Sequence, residues 1–340
     1  MRRCLSLAKL GSGRVSPNPM VGAVLVYDNM IIGEGYHQAY GHPHAEVNCL
    51  ESVSEENKCL INKSTLYVSL EPCSHFGKTP PCTDLIIKYQ VPKVIIGCRD
   101  IYKEVNGMGI EKLKNDGVMF EEDVLKNECS ELNKRFFTRH GKLRPYIILK
   151  WSESRNGMMA GGKDTRTFIS NEFSNRLVHK WRSEESAILV GANTAIKDNP
   201  SLTVRLWPGM NPVRVVIDPQ LRLPGSLKIF DGSVRTIIFN CIKEEPGDMI
   251  SYYKAAPLNM VHTIVNGLYN LDIESVMIEG GAATLNFFLE EGLWDEARII
   301  QNTSLVVNNG LKAPALAGAV MIDKEVLGTD LVYYYINPHL

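Results

Sequence analysis

Four residues constrain this chain more than any others: His44 and Glu46 in the string H-A-E, and Cys73 and Cys82 in E-P-C-S-H-F-G-K-T-P-P-C. An imidazole and two thiols can serve one metal only if widely separated segments fold back to a common point. Three such ligands leave one corner of a tetrahedral Zn²⁺ shell open, which separates a catalytic site from a closed structural one. His44 follows Gly41-His42-Pro43 and precedes the apolar pattern of Val47 and Leu50, so H-A-E opens a helix. In its irregular first turn, His44 and Glu46 can both reach one centre, and the positive helix end is expected to keep Glu46 ionised. Cys73 follows a strand-like run and Cys82 precedes a helix expected from Thr83, where the same dipole and the metal favour thiolates.

A chain of 340 residues exceeds the size at which one core usually stops growing, so two domains are expected. In the first part Val21 to Tyr27, Ile31 to Tyr36, Thr65 to Leu70 and Val94 to Cys98 are β-rich, and Ala45 to Ser52 and Thr83 to Tyr89 read as helices. Asp123 to Arg139 reads as one charged amphipathic helix. Gly141 to Pro145 then interrupts the pattern, which gives domains over 1–144 and 145–340. The second series has strands at Tyr146 to Lys150, Ala187 to Val190, Val213 to Ile217, Thr236 to Phe239, Ser275 to Ile278, Arg298 to Ile300 and Leu331 to Ile336. Its helices are expected at Asn171 to Arg182 and Thr284 to Glu291. Both halves are α/β, and no repeat relates them.

A net charge of -1 offers no bulk attraction to nucleic acid or to an anionic membrane. No run approaches the roughly 20 apolar residues that span a bilayer, and Met1 to Leu10 is too short and interrupted for a signal peptide. The expectation is a cytoplasmic protein acting on a small molecule. Its 8 cysteines then stay reduced. Cys4, Cys49, Cys59, Cys98, Cys129 and Cys241 read as small buried hydrophobes.

H-x-E followed by a spaced cysteine pair is the arrangement of zinc nucleobase deaminases, in which the Glu carries protons and does not bind the metal. On that reading Glu46 moves a proton from water to a ring nitrogen and a departing amine. The competing reading is a closed structural site with His42 or His75 as fourth ligand. Pro17-Asn18-Pro19 either presents an amide from a stiff backbone to a heterocycle edge or is merely a turn. Gly77-Lys78-Thr79, between the cysteines, suits a substrate phosphate, although a lone Lys78 more often faces solvent.

With P-N-P, Gly35-Tyr36-His37, H-A-E and the long cysteine string in that order, the first half resembles the deaminase domain of the bifunctional riboflavin-biosynthesis family RibD. The gap from Ser74 to Pro81 carries most of that likeness, because cytidine and nucleic-acid deaminases usually have a much shorter one. The resemblance implies a cytidine-deaminase-like three-layer α/β/α domain that deaminates a diaminohydroxy-phosphoribosylamino-pyrimidine. It makes His44, Cys73 and Cys82 the Zn²⁺ ligands, Glu46 the proton shuttle, and Asn18, His37, Lys78 and Thr79 substrate contacts. Similar chains carry further residues, often acidic, ahead of the helix that begins here at Met1-Arg2-Arg3-Cys4, so this edge is expected to be less supported.

In the second half Glu279-Gly280-Gly281-Ala282-Ala283-Thr284 follows a strand and opens a helix. Small residues there let backbone N–H groups approach a phosphate, though an ordinary turn explains the string equally well. Gly191 to Thr194 and Asp198 to Arg205 follow another strand end, so these loops could share one cleft. Together with Pro145 to Lys150 they resemble the RibD reductase domain, which implies a dihydrofolate-reductase-like α/β fold that reduces a ribosyl to a ribityl side chain with NADPH. By that resemblance Ser152, Phe168, Thr194, Asp198, Gly280, Gly281, Ala282, Ala283 and Thr284 bind NADPH. Arg182, Leu202, Arg205 and Glu279 meet the phosphorylated pyrimidine substrate, and Lys150 polarises the reacting sugar. Two strings depart from the family: Asn156 stands where an Asp is usual, and Asn302-Thr303-Ser304-Leu305 with a delayed Asn309-Gly310 replaces P-x-x-x-G. The leading expectation is a two-step enzyme that associates with copies of itself. The alternatives are a deaminase whose second domain only binds ligand or mediates assembly, and a structural-zinc nucleotide-binding or interaction protein.

Overall fold

Strands that are apolar on successive residues cannot face solvent on either side, so they must be covered on both. The computed structural model describes residues 1–76, 80–102, 105–160 and 168–340. In it the chain divides into two units, Met1–Leu143 and Arg144–Leu340, and each is built around such strands.

The first unit runs α1 (Arg2–Ala8), β1 (Gly22–Tyr27), β2 (Met30–Tyr36), α2 (Ala45–Glu51), β3 (Thr65–Leu70), α3 (Cys82–Lys88), β4 (Lys93–Cys98), α4 (Met108–Asn115), β5 (Met119–Glu121), α5 (Lys126–Leu132) and α6 (Lys134–Lys142). Its sheet has the order β2-β1-β3-β4-β5. β1 is antiparallel to both neighbours, whereas β3, β4 and β5 run parallel. Ala23 and Leu25 join a core with Ala45 and Leu50 of α2 and Ile86 of α3, while Val24, between them, packs on Cys4 and Leu7 of α1. Period-two alternation therefore yields three layers. At the chain start, Arg3 donates twice to Glu34 of β2, at 2.6 and 2.7 Å.

The single helix expected over Asp123 to Arg139 is instead two helices, α5 and α6. Asp123 and Leu125 take left-handed backbone ahead of the first. Asn133 separates the pair, accepting from the Met20 N–H at 2.8 Å and donating to the Met20 carbonyl at 2.9 Å. A contact with a distant segment outweighs the local charge pattern.

The second unit runs β6 (Tyr146–Glu153), β7 (Met158–Ala160), α7 (Glu172–Glu184), β8 (Ala187–Gly191), α8 (Ala192–Asp198), β9 (Val213–Ile217), β10 (Thr236–Asn240), β11 (Ile250–Lys254), α9 (Met260–Asn270), β12 (Ser275–Ile278), α10 (Ala282–Glu290), β13 (Glu296–Asn302), β14 (Leu311–Lys312), β15 (Val320–Leu327) and β16 (Asp330–Ile336). Apart from the β7–β14 pair, one mixed sheet has the order β11-β10-β9-β8-β12-β6-β13-β16-β15. It is parallel from β11 to β13 and antiparallel beyond. Ile147, Leu149, Leu189 and Val276 face one core; Tyr146, Ile148, Ile188 and Met277 face the other. The chain leaves β6, lays down β8 to β11 on one side, then returns as β12 between β6 and β8. Such a reversal opens a crevice at the carboxyl ends of the strands. Among the described residues no helix is long and apolar enough to cross a membrane.

The division falls one residue ahead of the position read from the sequence, because Arg144 is bonded into the second unit. Its guanidinium donates to both Asp295 oxygens at 2.6 Å, and Asp295 also accepts from the Ile147 N–H at 2.9 Å. Both side chains are buried. Asp295→Ala strips the guanidinium of this counter-charge and is expected to cost about 3–5 kcal/mol. Denaturant unfolding of the second unit measures it, and a loss of a few tenths would show the pair to be dispensable.

Candidate functional site

α2 begins at Ala45 with His44 as its N-cap in extended backbone. This geometry turns the His44 ring toward the loop after β3. Its Nδ1 lies 3.6 Å from Cys73 Sγ and 3.4 Å from Cys82 Sγ, and all three ligand atoms fall within 4.8 Å of one another. Zn–N and Zn–S bonds of about 2.05 and 2.3 Å at a tetrahedral angle give an N···S edge of about 3.6 Å. The donor set therefore fits Zn²⁺ in chemistry and in spacing. Among the described residues neither His42 nor His75 joins the cluster, which leaves the closed-site reading without its fourth ligand.

Cys82 is the first residue of α3, not the residue before it. Its N–H donates to Cys73 Sγ at 3.3 Å, and the Thr83 N–H donates to the Cys73 carbonyl at 3.2 Å, so the helix start grips the other cysteine. The hydrogen bond from Cys82 pulls the Cys73 thiol down to about 4, against burial and with help from His44. Cys82 is pushed up as the partner that keeps the shared proton. A bound cation releases that proton and leaves two thiolates.

Glu46 is 3 % exposed. Burial raises its carboxyl above the ordinary range, more than the neighbouring His44 lowers it. Desolvation thus works against the helix dipole, which favours the ionised carboxylate. Asn18 Nδ2 donates to His37 Nε2 at 3.0 Å while His37 Nδ1 donates to the Pro43 carbonyl at 3.1 Å, and one neutral tautomer satisfies both bonds. The His37 ring stands edge-on to His44 with 5.3 Å between centroids. Asn18 and His37 therefore lie beside the ligands. Lys78 and Thr79 lie outside the described residues.

Sequence reasoning missed Glu71. Its buried carboxylate accepts from the N–H groups of Gly107 and Gly109 at 3.1 Å and of Asp100 and Ile110 at 3.3 Å, tying the Cys73 loop to the start of α4. An acidic residue directly before P-C was the available signal. Of the cysteines read as buried, Cys4, Cys49, Cys98 and Cys129 are so, but Cys59 is exposed and Cys241 half-buried. Cys59 sits in the polar segment Glu55–Lys63, whose helical winding turns it to solvent.

The second unit holds a cavity of about 770 Å³ at its crevice. Lys150, Ser152, Phe168, Arg182, Thr194, Asp198, Leu202, Arg205, Glu279, Gly281, Ala282, Ala283 and Thr284 all line it. Gly280 does not. A Cβ there would stand 2.9 Å from the Gly191 nitrogen, so this glycine permits close packing on the end of β8. A Cβ on Gly191 would in turn come within 2.5 Å of Thr284 Oγ1. The Gly281 N–H donates to Thr194 Oγ1 at 2.9 Å, joining α8 to the start of α10.

Arg182 donates to both Glu279 oxygens, at 2.8 and 2.6 Å. Burial opposes ionisation of Glu279, yet this pairing holds its carboxyl below the ordinary range. Burial lowers the neighbouring Lys150, with Glu279 opposing and Arg182 adding. Leu202 has φ 52°, a left-handed conformation costing about 1 kcal/mol or more. The fully buried Arg214 braces this loop by donating to the Ser201 carbonyl at 2.9 Å. The two departures from the family pattern are locally satisfied: Asn156 exchanges bonds with the Val307 backbone, and Asn302 donates to the Ile169 carbonyl at 2.8 Å, steadying the wall beside Phe168.

His179 also escaped the sequence reading. It lines the cavity and its Nδ1 accepts from the Arg205 N–H at 3.0 Å. Burial first, then Arg182 and Arg205, push its pKa from 6.5 down to about 4. The unfolded imidazole gains its proton near 6.5, before the folded one does, so His179 should subtract stability as pH falls through that window. His179→Asn keeps an acceptor without titrating. Unfolding measured across the window should show a shallower pH slope for this variant, and an unchanged slope would refute the assignment.

Comparison with known proteins covers both halves. Residues 1–98 match the cytidine and deoxycytidylate deaminase zinc-binding region, and residues 145–308 match the RibD C-terminal domain. The riboflavin biosynthesis protein RibD of Aquifex aeolicus is 38% identical over 98% of this chain and 97% of its own. That of Escherichia coli is 34% identical over 87% and 84%. A solved structure from Thermotoga maritima, described as a diaminohydroxyphosphoribosylaminopyrimidine deaminase/5-amino-6-(5-phosphoribosylamino)uracil reductase, superposes with a TM-score of 0.91 at 37% identity, covering 99% of this chain and 97% of that one. Acinetobacter baumannii RibD gives 0.88 at 30% identity, covering 98% and 97%. A match to the reductase half as well as the deaminase half disfavours a second domain that only binds or assembles. With relatives this similar along nearly its whole length, the chain belongs to the RibD family: it is a bifunctional riboflavin-biosynthesis enzyme, a zinc-dependent deaminase joined to an NADPH-dependent reductase.

Proposed function

We propose that the first unit hydrolytically deaminates 2,5-diamino-6-(5-phosphoribosylamino)pyrimidin-4(3H)-one and that the second reduces the ribosyl side chain of the product to ribityl. The observation that carries this reading is the convergence of His44 Nδ1 with two cysteine sulfurs beside the buried Glu46. Zn²⁺, when held by His44, Cys73 and Cys82, supplies the Lewis acidity that makes an attacking water available at neutral pH. Glu46 takes the proton of that water and passes it to the ring nitrogen and the departing amine, so ammonia leaves and a carbonyl remains on the ring. Its raised proton affinity suits the cycle, because a strongly acidic carboxyl would not hold the proton between pick-up and delivery. Asn18, fixed by His37, presents its amide to the pyrimidine edge. Lys78 and Thr79 are assigned to the substrate phosphate by residue type and resemblance alone.

In the second unit, NADPH bound along Thr194, Asp198 and the start of α10 supplies the hydride. Gly281, Ala282 and Ala283 are small enough for backbone N–H groups to approach its phosphates, while Ser152 and Phe168 flank the reacting end. Lys150 polarises the sugar oxygen and gives the proton that balances the hydride. Arg182 and Arg205 meet the substrate phosphate, Glu279 holds Arg182 in place, and Leu202 shapes the wall between them.

We further infer self-association through the second unit. β15 is an outer strand of its sheet and exposes Val320, Met321, Ile322 and Val326, a surface that pairing with a second copy would cover. A reducing, cytoplasmic setting is inferred from the need of the metal site for reduced thiols.

Glu46→Gln is expected to keep its zinc, read as metal content, and to lose about 10²–10⁴-fold in ammonia release. Release at the wild-type rate would remove Glu46 from the mechanism. Lys150→Met should slow NADPH oxidation with the deaminated substrate by about 10²-fold or more while NADPH still binds, as followed by nucleotide fluorescence. Undiminished turnover would assign the proton to another group.

A further inference from the structure

Two of the three residues assigned to the metal are carried by helices. His44 is the N-cap of α2 and Cys82 is the first residue of α3, whereas Cys73 lies in the loop after β3, two residues beyond Glu71. A sulfur on a loop shares the freedom of that loop, so its position has to be set by neighbours.

Glu71 supplies such a neighbour. It is 4 % exposed, and each carboxylate oxygen accepts from two backbone N–H groups, Oε1 from Gly109 and Ile110 and Oε2 from Asp100 and Gly107. α4 starts at Met108 with Gly107 as its N-cap, and a glycine brings no side chain to satisfy the free N–H groups of the first turn. Glu71 satisfies them from another segment, taking the second and third residues of the helix, while the Met108 N–H goes to the Val105 carbonyl at 2.6 Å. The Glu71 main chain is fixed as well, its N–H donating to the Cys98 carbonyl at 3.0 Å at the end of β4.

The residues on either side continue the fastening. A Cβ on Gly109 would stand 2.1 Å from the Pro72 carbonyl oxygen, so α4 begins in direct contact with the backbone one residue before Cys73. Beyond it, the Cys73 carbonyl accepts from the Thr83 N–H and from the Thr83 hydroxyl, both at 3.2 Å. The loop is thus pinned to α4 through Glu71 and Pro72 and to α3 through Thr83.

We propose that Glu71 is a positioning residue for the metal centre: by capping α4 with its carboxylate it holds Cys73 Sγ where His44 and Cys82 can share one Zn²⁺ with it. The inference rests on the reading of Cys73 as a ligand. With both oxygens spent on backbone N–H groups, Glu71 acts through the loop, and among the described residues it does not join the ligand cluster. A glutamine has the same shape but a single oxygen, so it leaves two buried N–H groups facing an NH₂ that cannot accept.

Zinc affinity of the full chain, measured by competition with a chelating dye, tests this without turnover. Glu71→Gln is expected to bind zinc about 10- to 100-fold more weakly, the usual effect of removing a group that orients a ligand. Glu71→Asp, with two oxygens on a shorter stem, should fall between that variant and the wild type. With Co²⁺ in place of Zn²⁺, the visible bands that report a tetrahedral thiolate site should shift or lose intensity in Glu71→Gln. Val24→Ala, which thins the packing on α1 across the sheet, should lower the unfolding stability of the first unit and leave zinc affinity and the cobalt bands unchanged. Wild-type affinity and bands in Glu71→Gln, or an equal loss of zinc in Val24→Ala, would overturn the role of Glu71 and leave the ligand set standing. If Glu71→Gln does not fold, Gly109→Ala, whose methyl group meets Pro72, is expected to weaken zinc in the same way, and wild-type affinity there would overturn the proposal equally. Zinc held at wild-type affinity by Cys73→Ser would overturn the ligand reading and the inference together.

Discussion

Parallel strand pairing is the constraint on which both sites rest. A parallel pair requires a crossover, so neighbouring strands hand over to loops and helices at the same edge of the sheet. In the first unit β3 and β4 end side by side, and the residues that follow them include Glu71, Cys73 and Asp100. In the second, β8, β9 and β12 lead into Gly191, Asp218 and Glu279, and Lys150 lies toward the same end of β6. With apolar residues packed on both faces, this edge is where polar groups gather without breaching a core.

What a buried carboxylate does is then decided by its partners. Glu46 faces an imidazole and thiols and leans toward holding a proton. Glu279 is of the same residue type and nearly as buried, but two donors from Arg182 keep it charged. Asp295 resembles Glu279 in its pairing with Arg144, yet it fastens the start of β13 beside β6 and is not part of the lining of the second unit's cavity. One chemical group thus carries protons, fixes a cation or fastens a strand, according to what stands within about 3 Å of it.

Legibility followed the range of the forces involved. H-A-E and the two cysteines could be read because a metal tolerates few donor types, and the central strands because their apolar runs are uninterrupted. The break at Asn133 depends on Met20, far away in the chain, and no local pattern announces it. The raised proton affinity of Glu46 was out of reach of a helix-end argument, because burial is supplied only by the folded core. β15 went unread because its exposed residues, with Asp323, Lys324 and Glu325 at the centre, carry little apolar alternation. At Gly280 the packing role could not be read, since the string is the same whether a glycine makes room for a phosphate or for a neighbouring strand.

That last distinction governs how the chain can change. Gly280 abuts the Gly191 backbone, and Gly191 abuts Thr284, so the end of β8 and the segment entering α10 interlock without room for a further methyl group. Neither segment can drift in sequence alone. A cofactor loop transplanted from a distant homologue would carry one half of the interlock into a host that supplies the other. Recombination between such chains should therefore succeed when its crossovers keep 191 and 280–284 from one parent, and substitutions at these positions should be inherited as a set.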